Sequence, residues 1–244
     1  MVLKSSGPKT AYMPGSRQVR DWFGAVTRPA NGGTYWWSQR FSTFLSMNIQ
    51  TWSDGEPGHG GTMDHGSDKR SLKVYQDGTL IKTTDWQSVT IARPPATTPV
   101  HTLDLSAERD ADTYRLSTRT HTVWQVKSDP VTDPKKIDRM ALLQMDYGVD
   151  TDLAGDARGG RQTLRLAPHH LEDAAGAGQI QGATLSVSYD DGATWTPIRT
   201  DGKSGTWTAR YDAPRHGFVS LKAEGWDDAG NRITQEVIRA YGLK

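Results

Sequence analysis

Apolar and polar residues alternate with a period of two along most of the chain, whereas stripes with the 3.6-residue period of a helix are short. In the second half the apolar members of this alternation are Leu143, Met145, Tyr147, Val149, Leu164, Leu166, Leu185, Val187, Tyr189, Trp207, Ala209, Tyr211, Val219, Leu221 and Ala223. Further segments lie around Trp195 and from Ile233 to Val237. Together they predict about seven strands, the number typical of an immunoglobulin-like sandwich.

The first half shows the same alternation less regularly. Its apolar or inward positions are Leu45, Met47, Ile49, Leu72, Val74, Val89, Ile91, Leu103, Leu105, Ala107, Thr122, Trp124 and Val126. They predict a second small β-sandwich. Asp-Gly pairs at 77–78 and 191–192 stand between predicted strands, where a two-residue hairpin turn needs positive φ at both positions. One short helical turn is predicted at 168–175, because proline is tolerated at a first helical position.

The predicted domain boundary is the segment 128–136, because Asp129-Pro130 and Asp133-Pro134 interrupt sheet pairing. We therefore expect an all-β chain of two β-sandwich domains. These are an N-terminal sandwich (1–127), a linker (128–136) and an immunoglobulin-like or fibronectin-III-like C-terminal sandwich (137–244). In an alternative arrangement, a strand near 120–126 crosses over and completes the second sheet, so that the halves form one cooperative unit.

Composition narrows the possible partners. The 244 residues include 29 basic and 28 acidic side chains, so no strong positive field for nucleic acid or anionic membranes is expected. No apolar stretch approaches the ~20 residues of a membrane span, and no cysteine is present for disulfides or thiolate sites. The first residues lack the features of a signal peptide, so an export signal is expected outside this chain.

A polar, glycine-rich loop at 54–68 is the candidate metal site. Its possible ligands are the carboxylates and imidazoles of Asp54, Glu56, His59, Asp64 and His65. Such side chains could bind Ca²⁺ or Zn²⁺, but the spacing of a known zinc or EF-hand motif is missing. We expect a solvated loop and no cofactor, with Ca²⁺ as the alternative.

Consecutive aromatic residues form the candidate ligand-binding site. Tyr35, Trp36 and Trp37 follow one another, and successive strand residues face opposite sides, so only part of this run can be core. The others would pack at a domain junction or stack on sugar rings.

Two turn motifs are predicted to be structural. The segment 188–195 fits the pattern S-x-D-x-G-x-x-W, in which Ser and Asp side chains satisfy the turn backbone. The segment 226–231, WDDAGN, is predicted to be a hairpin turn, with cation binding by its carboxylates as the alternative. Trp195 and Trp207 are predicted to be core residues of the C-terminal sandwich.

No catalytic constellation is recognisable, because no G-x-S-x-G motif occurs and the single S-x-x-K match, at Ser6, lacks its companion motifs.

The order of the local motifs instead indicates a family. It runs PGHGG (57–61), LKVYQDGTLI (72–81), LSTRTHTVW (116–124), SYDDGATW (188–195), AEGWDDAGN (223–231) and VIRAYGL (237–243).

This succession resembles the C-terminal, non-catalytic region of large secreted subtilisin-like (S8) serine peptidases of actinobacteria. The resemblance implies a secreted accessory region of sandwich domains whose protease domain lies outside this chain, and it transfers no catalytic residue. The expected function is non-enzymatic: stabilising the peptidase or docking the catalytic domain, another extracellular protein or a polysaccharide. Alternatives are a carbohydrate-binding module that uses Tyr35, Trp36 and Trp37, and a metal-dependent hydrolase centred on His59 and His65.

Overall fold

The computed structural model describes residues 2–5, 15, 24–32, 37–55, 59–62, 68–203 and 205–244. These residues form 22 β-strands and no helix, which confirms the all-β prediction. Within these ranges there is accordingly no helix long and apolar enough to cross a membrane.

In chain order the strands are β1 (Val2–Ser5), β2 (Arg28–Ala30), β3 (Gln39–Arg40), β4 (Phe44–Asn48), β5 (Gln50–Ser53), β6 (His59–Thr62), β7 (Lys69–Gln76), β8 (Thr79–Thr84), β9 (Ser88–Ala92), β10 (Val100–Glu108), β11 (Arg119–Lys127), β12 (Asp138–Met140), β13 (Gln144–Val149), β14 (Asp156–Ala157), β15 (Gly160–His169), β16 (Ala174–Ala175), β17 (Ile180–Ser188), β18 (Thr196–Ile198), β19 (Thr200–Lys203), β20 (Thr206–Ala213), β21 (Gly217–Asp227) and β22 (Arg232–Leu243).

Four sheets contain these strands. The nine-stranded sheet, called the long sheet below, has the order β18-β17-β21-β22-β11-β10-β7-β8, with β14 beside β22. A five-stranded sheet has the order β16-β12-β3-β4-β9, and the four-stranded sheets have the orders β13-β15-β20-β19 and β1-β6-β5-β2. Pairing is antiparallel except between β12 and β16 and between β14 and β22.

The sheets pack as sandwiches because each strand turns its apolar side inward. In the C-terminal half, Leu164, Leu166 and Trp207 of one four-stranded sheet share a buried cluster with Leu185, Val187 and Leu221 of the long sheet. The five-stranded sheet contributes Leu45, Met47 and Val89 to the same cluster, and the long sheet adds Leu72, Leu103, Leu105 and Trp124. The predicted inward positions therefore form one core rather than two separate ones.

The long sheet joins the two predicted domains. Strand β11 pairs with β22 from Arg119 opposite Ile238 to Gln125 opposite Arg232, which is the crossover alternative of the sequence analysis. Strand β12 likewise pairs with β3 of the first half. The segment 128–136 therefore does not separate two sets of sheets, and the domain boundary stays a prediction that the folding of the fragment 137–244 would test.

Arg28 links the halves through its side chain. It is 2% exposed, and its Nε donates to the carbonyl of Met145 at 2.7 Å while Nη1 donates to the carbonyl of Ser53 at 3.2 Å. Its Nη2 contacts the Asp146 carboxylate at 2.5 Å. A buried cation needs such partners, so these contacts fix β13 against the first half.

The predicted linker is also held in place. Nη1 of buried Arg40 donates to the carbonyl of Ser128 at 2.5 Å, and Nη2 donates to the carbonyl of Pro95 at 2.6 Å. Val131 within the segment is only 6% exposed. The charges of the segment keep it near solvent, but its backbone is tied to the first half.

Local signals predicted the positive φ values of the turns correctly but were wrong at the expected helical turn. Asp77 and Gly78 have φ of 48° and 81° and form the predicted two-residue hairpin, because Gln76 pairs with Thr79. Asp191 and Gly192 also have positive φ, 55° and 86°, but they are not a two-residue hairpin: Val187 pairs with Thr196, so they lie within the longer connection 188–195. At 168–175, however, β15 continues through His169 because it pairs with β13. Tertiary pairing here outweighs the local preference.

Candidate functional site

A recess on the outer face of the long sheet is the candidate functional site. It has a volume of about 440 Å³ and continues into a second hollow of about 610 Å³. Both parts are lined by Lys69, Glu108, Arg119, Asp191 and Ile238. We call it the sheet-face groove; its first part also includes His121, Ser106 and Glu236.

Opposite charges alternate across the floor of the groove. Lys69 stands opposite Glu108, and Glu108 stands opposite Arg119 on the next strand. In the neighbouring row, Glu236 pairs with Lys222 at 2.8 Å. Opposite charges that face each other across strands stabilise a sheet modestly, so the floor presents a fixed pattern of positive and negative groups.

A serine, a histidine and an aspartate also lie close together on this face of the long sheet, although only the serine and the histidine line the groove. His121 Nε2 lies 2.9 Å from Asp104 Oδ1, and Ser106 is directly opposite His121 on the adjacent strand. Within the described residues no hydrogen bond joins Ser106 to His121. The sheet hydrogen bonds also occupy the neighbouring backbone N–H groups that an oxyanion hole would need. The trio can bind polar groups, but the arrangement lacks an activated nucleophile.

The turn at 188–195 forms one wall of the groove, and its side chains make the contacts predicted for a structural turn. Ser188 Oγ donates to Asp190 Oδ1 at 2.7 Å and accepts from the Gly192 N–H at 2.9 Å. Asp190 accepts from the Thr194 N–H and hydroxyl at 2.9 and 2.6 Å. The hydrogen bond from the Thr194 hydroxyl is the main cause that lowers the pKa of Asp190 to about 2.

Asp191 fixes this wall to the floor. Its two carboxylate oxygens accept from Arg239 Nε and Nη2 at 2.9 and 2.7 Å, and these bonds lower the pKa of Asp191. The Arg119 guanidinium donates to the Asp191 carbonyl at 3.1 Å. Gly192 covers Ile238, and a Cβ at this position would lie 2.7 Å from the Ile238 Cδ1 atom. The groove is therefore preformed.

One of the two predicted core tryptophans is wrongly assigned. Trp207 is 7% exposed and belongs to the core, as predicted. Trp195 is half-buried in the turn, where the Lys222 ammonium lies 5.8 Å from its ring centroid. The apparent alternation around Trp195 comes from the turn motif, because the residue lies just before β18 rather than on a strand.

The predicted aromatic site is only partly described. Tyr35 and Trp36 lie outside the described residues. Trp37 is half-buried, and the Arg139 guanidinium lies 3.8 Å from the centroid of its ring. One face of Trp37 is therefore already covered by a cation, and Trp37 does not line the sheet-face groove.

The predicted metal loop is likewise only partly described, since Glu56, Asp64 and His65 lie outside the described residues. Asp54 and His59 pair at 3.0 Å between Oδ2 and Nδ1, with side chains 3% and 12% exposed. Asp54 also accepts from the Gly24 N–H at 3.1 Å. In the described ranges no group of three or more His, Asp or Glu residues could hold a metal ion.

The turn at 226–231 is structural. Asp227 accepts from the Asn231 N–H at 2.7 Å, the Gly178 N–H at 2.9 Å and the His170 Nε2 at 2.9 Å. Burial alone would raise the pKa of Asp227, but these hydrogen bonds lower it below its ordinary value. The carboxylate thus joins the β21–β22 hairpin to the loop after β15.

Sequence reasoning missed the sheet-face groove. Lys69, Glu108 and Arg119 occupy polar positions of alternating segments and look like ordinary solvated side chains. Only the order of β7, β10, β11 and β22 in the long sheet brings them into one row.

Comparison with protein-family models gives no match for this chain, and comparison with curated proteins gives none either. Among solved structures, the chain is similar to the fibronectin(III)-like modules of CbhA from Clostridium thermocellum, with 11% identity and a TM-score of 0.26; 81% of this chain and 86% of that chain are covered. It is also similar to extracellular domains 3–5 of Drosophila OTK, with 6% identity and a TM-score of 0.21; 89% of this chain and 100% of that chain are covered.

Proposed function

We propose that this chain is a non-enzymatic binding region of a secreted subtilisin-like serine peptidase, and that it holds a polypeptide partner in the sheet-face groove. The observation that carries the proposal is the preformed groove with its alternating charges. Fixed charges of both signs discriminate between partners by electrostatic complementarity, and a rigid surface binds without an ordering cost.

The assignment to a secreted peptidase is supported by the sequence resemblance. The proposed partner is the catalytic domain of that peptidase, and no cofactor is part of the proposal. Because the long sheet spans both halves of the chain, a partner seated on it would contact both halves at once. This arrangement suits a region that stabilises or positions a neighbouring domain.

The full chain can be tested by calorimetric titration. The probes are a subtilisin-like catalytic domain whose active-site serine is replaced by alanine, and, separately, soluble chitin and cellulose oligosaccharides. We expect binding of the protein probe that weakens as salt rises, since charged contacts are screened. Arg119→Glu should reduce the affinity about tenfold or more, because it places a like charge beside Glu108.

Arg199→Glu is the matched control, since Arg199 is 87% exposed and lies outside the groove. It should leave the affinity unchanged. Binding of oligosaccharides alone, or equal affinities of the two variants and the wild-type chain, would contradict the proposal. Covalent labelling of Ser106 by a fluorophosphonate probe would instead indicate an enzyme.

A further inference from the structure

The outer face of the four-stranded sheet β13-β15-β20-β19 carries a group of arginines. On the inner side of this sheet, Leu164 of β15 and Ala209 of β20 are buried in the core. Because side chains alternate along a strand, the residues in the alternate positions face solvent. Arg161 and Arg165 of β15 and Arg210 of β20 occupy such positions, and all three are exposed.

The strand register places these three arginines next to one another. Arg210 is directly opposite Thr163 of β15, so it lies diagonally between Arg161 and Arg165. Diagonal neighbours on one face of a sheet are about 7–8 Å apart. Arg161 and Arg165 are four residues apart on one strand, which separates them by about 13 Å. The three guanidinium groups therefore form a short zigzag row along the sheet.

Two further arginines continue this row beyond the end of the strands. Arg158 lies just before β15, and Arg215 lies just after β20. Both are exposed, and the Arg215 backbone packs against Gly159, where a Cβ would come within 2.5 Å of the Arg215 Cα atom. We call the five residues the arginine face: Arg158, Arg161, Arg165, Arg210 and Arg215. None of them forms an ion pair with any residue that the structure describes.

Few carboxylates oppose the charge of the arginine face. The four strands of the sheet contain Asp146, Asp201 and Asp212. Asp146 and Asp201 each already pair with an arginine outside the arginine face. Asp212 stands opposite Arg161, so an excess of positive charge remains although the whole chain is nearly neutral. Like charges on neighbouring strands destabilise a sheet, so stability does not explain this arrangement. The arrangement points to an anionic ligand.

The surroundings of the arginines indicate the kind of anion. Hydroxyl groups of Thr163, Thr206 and Thr208 lie among them on the same strands. None of the exposed large hydrophobic side chains found among the described residues belongs to this sheet. Protein partners are generally anchored by apolar or aromatic side chains, and single-stranded nucleic acids stack their bases on aromatic rings. A hydroxyl-rich polymer with repeated negative charges needs neither feature.

We propose that the arginine face binds an anionic polysaccharide. The guanidinium groups donate paired hydrogen bonds to its sulfate or carboxylate groups, as the planar fork of arginine favours. The threonine hydroxyls exchange hydrogen bonds with sugar hydroxyls. This proposal does not depend on the sheet-face groove, because none of the five arginines lines that groove.

The test measures the fluorescence anisotropy of labelled dextran sulfate titrated with the full chain. Uncharged dextran of the same length is the control ligand and should not bind. We expect the affinity for dextran sulfate to fall about a hundredfold between about 50 and 200 mM salt, the change for about five neutralised anionic groups. The triple variant Arg161→Gln, Arg165→Gln, Arg210→Gln should bind at least about tenfold more weakly, with a correspondingly smaller salt dependence.

Arg232→Gln is the matched control, because it neutralises an exposed arginine on the long sheet, outside both sites. It should bind dextran sulfate like the wild-type chain. Without ligand, the triple variant should unfold in urea at the wild-type midpoint or above it, since it removes repulsion between like charges. A lower midpoint would assign these arginines a structural role and contradict the proposal.

Two other outcomes would also overturn the proposal. The first is equal affinity of the triple variant and the wild-type chain for dextran sulfate, which would place binding elsewhere. The second is binding of poly-L-glutamate or duplex DNA as tight as that of dextran sulfate, which would assign the arginine face to another class of partner. Clearly weaker binding of both polymers would support a polysaccharide.

Discussion

Acidification should destabilise this protein through one buried histidine. His101 lies on the inward side of β10 with 0% exposure, and both ring nitrogens lack hydrogen-bond partners within the described residues. Burial, followed by the nearby Arg40 guanidinium, lowers the pKa of His101 from 6.5 to about 4. Asp77 opposes this effect but is the smallest of the three causes. The folded protein therefore keeps the imidazole neutral.

The sign and size of the effect follow from linkage. Between pH 6.5 and 4 the unfolded chain binds a proton at His101 that the folded chain does not, so the free energy of unfolding falls as the pH falls. The pKa falls from 6.5 to about 4 on folding, and each pKa unit is worth about 1.4 kcal/mol. The free energy of unfolding at low pH is therefore about 3 kcal/mol lower than at neutral pH. The loss begins near pH 6.5 and levels off below pH 4.

Urea unfolding followed by tryptophan fluorescence at several pH values from 7.5 to 4 measures this effect. His101→Leu removes the buried imidazole and should flatten the pH dependence by about 3 kcal/mol relative to the wild-type chain. His216→Leu, which replaces an exposed histidine, is the control and should follow the wild-type curve. If the His101→Leu and wild-type curves stay parallel within about 0.5 kcal/mol, a neutral buried His101 is refuted.

Three further predictions concern the core and its connections. Trp207→Ala should lower the free energy of unfolding in urea by about 3–5 kcal/mol, because it empties an aromatic core site. Trp195→Ala should lower it by less than about 1 kcal/mol, and similar losses for the two variants would contradict the burial assigned here. The fragment 137–244 lacks β11, the neighbour of β22, and should be insoluble or unfold without cooperativity. The longer fragment 118–244 keeps β11 and should be soluble. Dispersed amide signals from the shorter fragment would instead support two domains. Asp227→Ala should lower the free energy of unfolding by about 3 kcal/mol, because it leaves several buried hydrogen-bond donors without a partner. A calorimetric loss below about 1 kcal/mol would contradict a stabilising role for these hydrogen bonds.

The local patterns of the sequence were informative wherever one face of a strand met the core. The predicted inward positions Leu45, Leu103 and Trp124 in the first half, and Leu164 and Leu221 in the second, are all buried. The Asp-Gly turns also have the positive φ values that their residues favour. Both signals are local, because a period of two and a permitted turn conformation need no knowledge of the partner strand.

The candidate sites depended on the tertiary structure. The charges of the sheet-face groove were visible as residues, but their row exists only because β7, β10, β11 and β22 are neighbours. No local pattern encodes such proximity.

The sequence by itself determined the all-β class, the inward faces of the strands and the tight turns, since these follow from side-chain alternation and backbone sterics. The tertiary structure decided that β11 crosses to β22, that the segment 128–136 is held by Arg40, and that Trp195 remains half-exposed. Sheet order is a non-local property: any strand with one apolar face can pair with several others. The choice is made by the packing of the whole core and by buried partners such as those of Arg28.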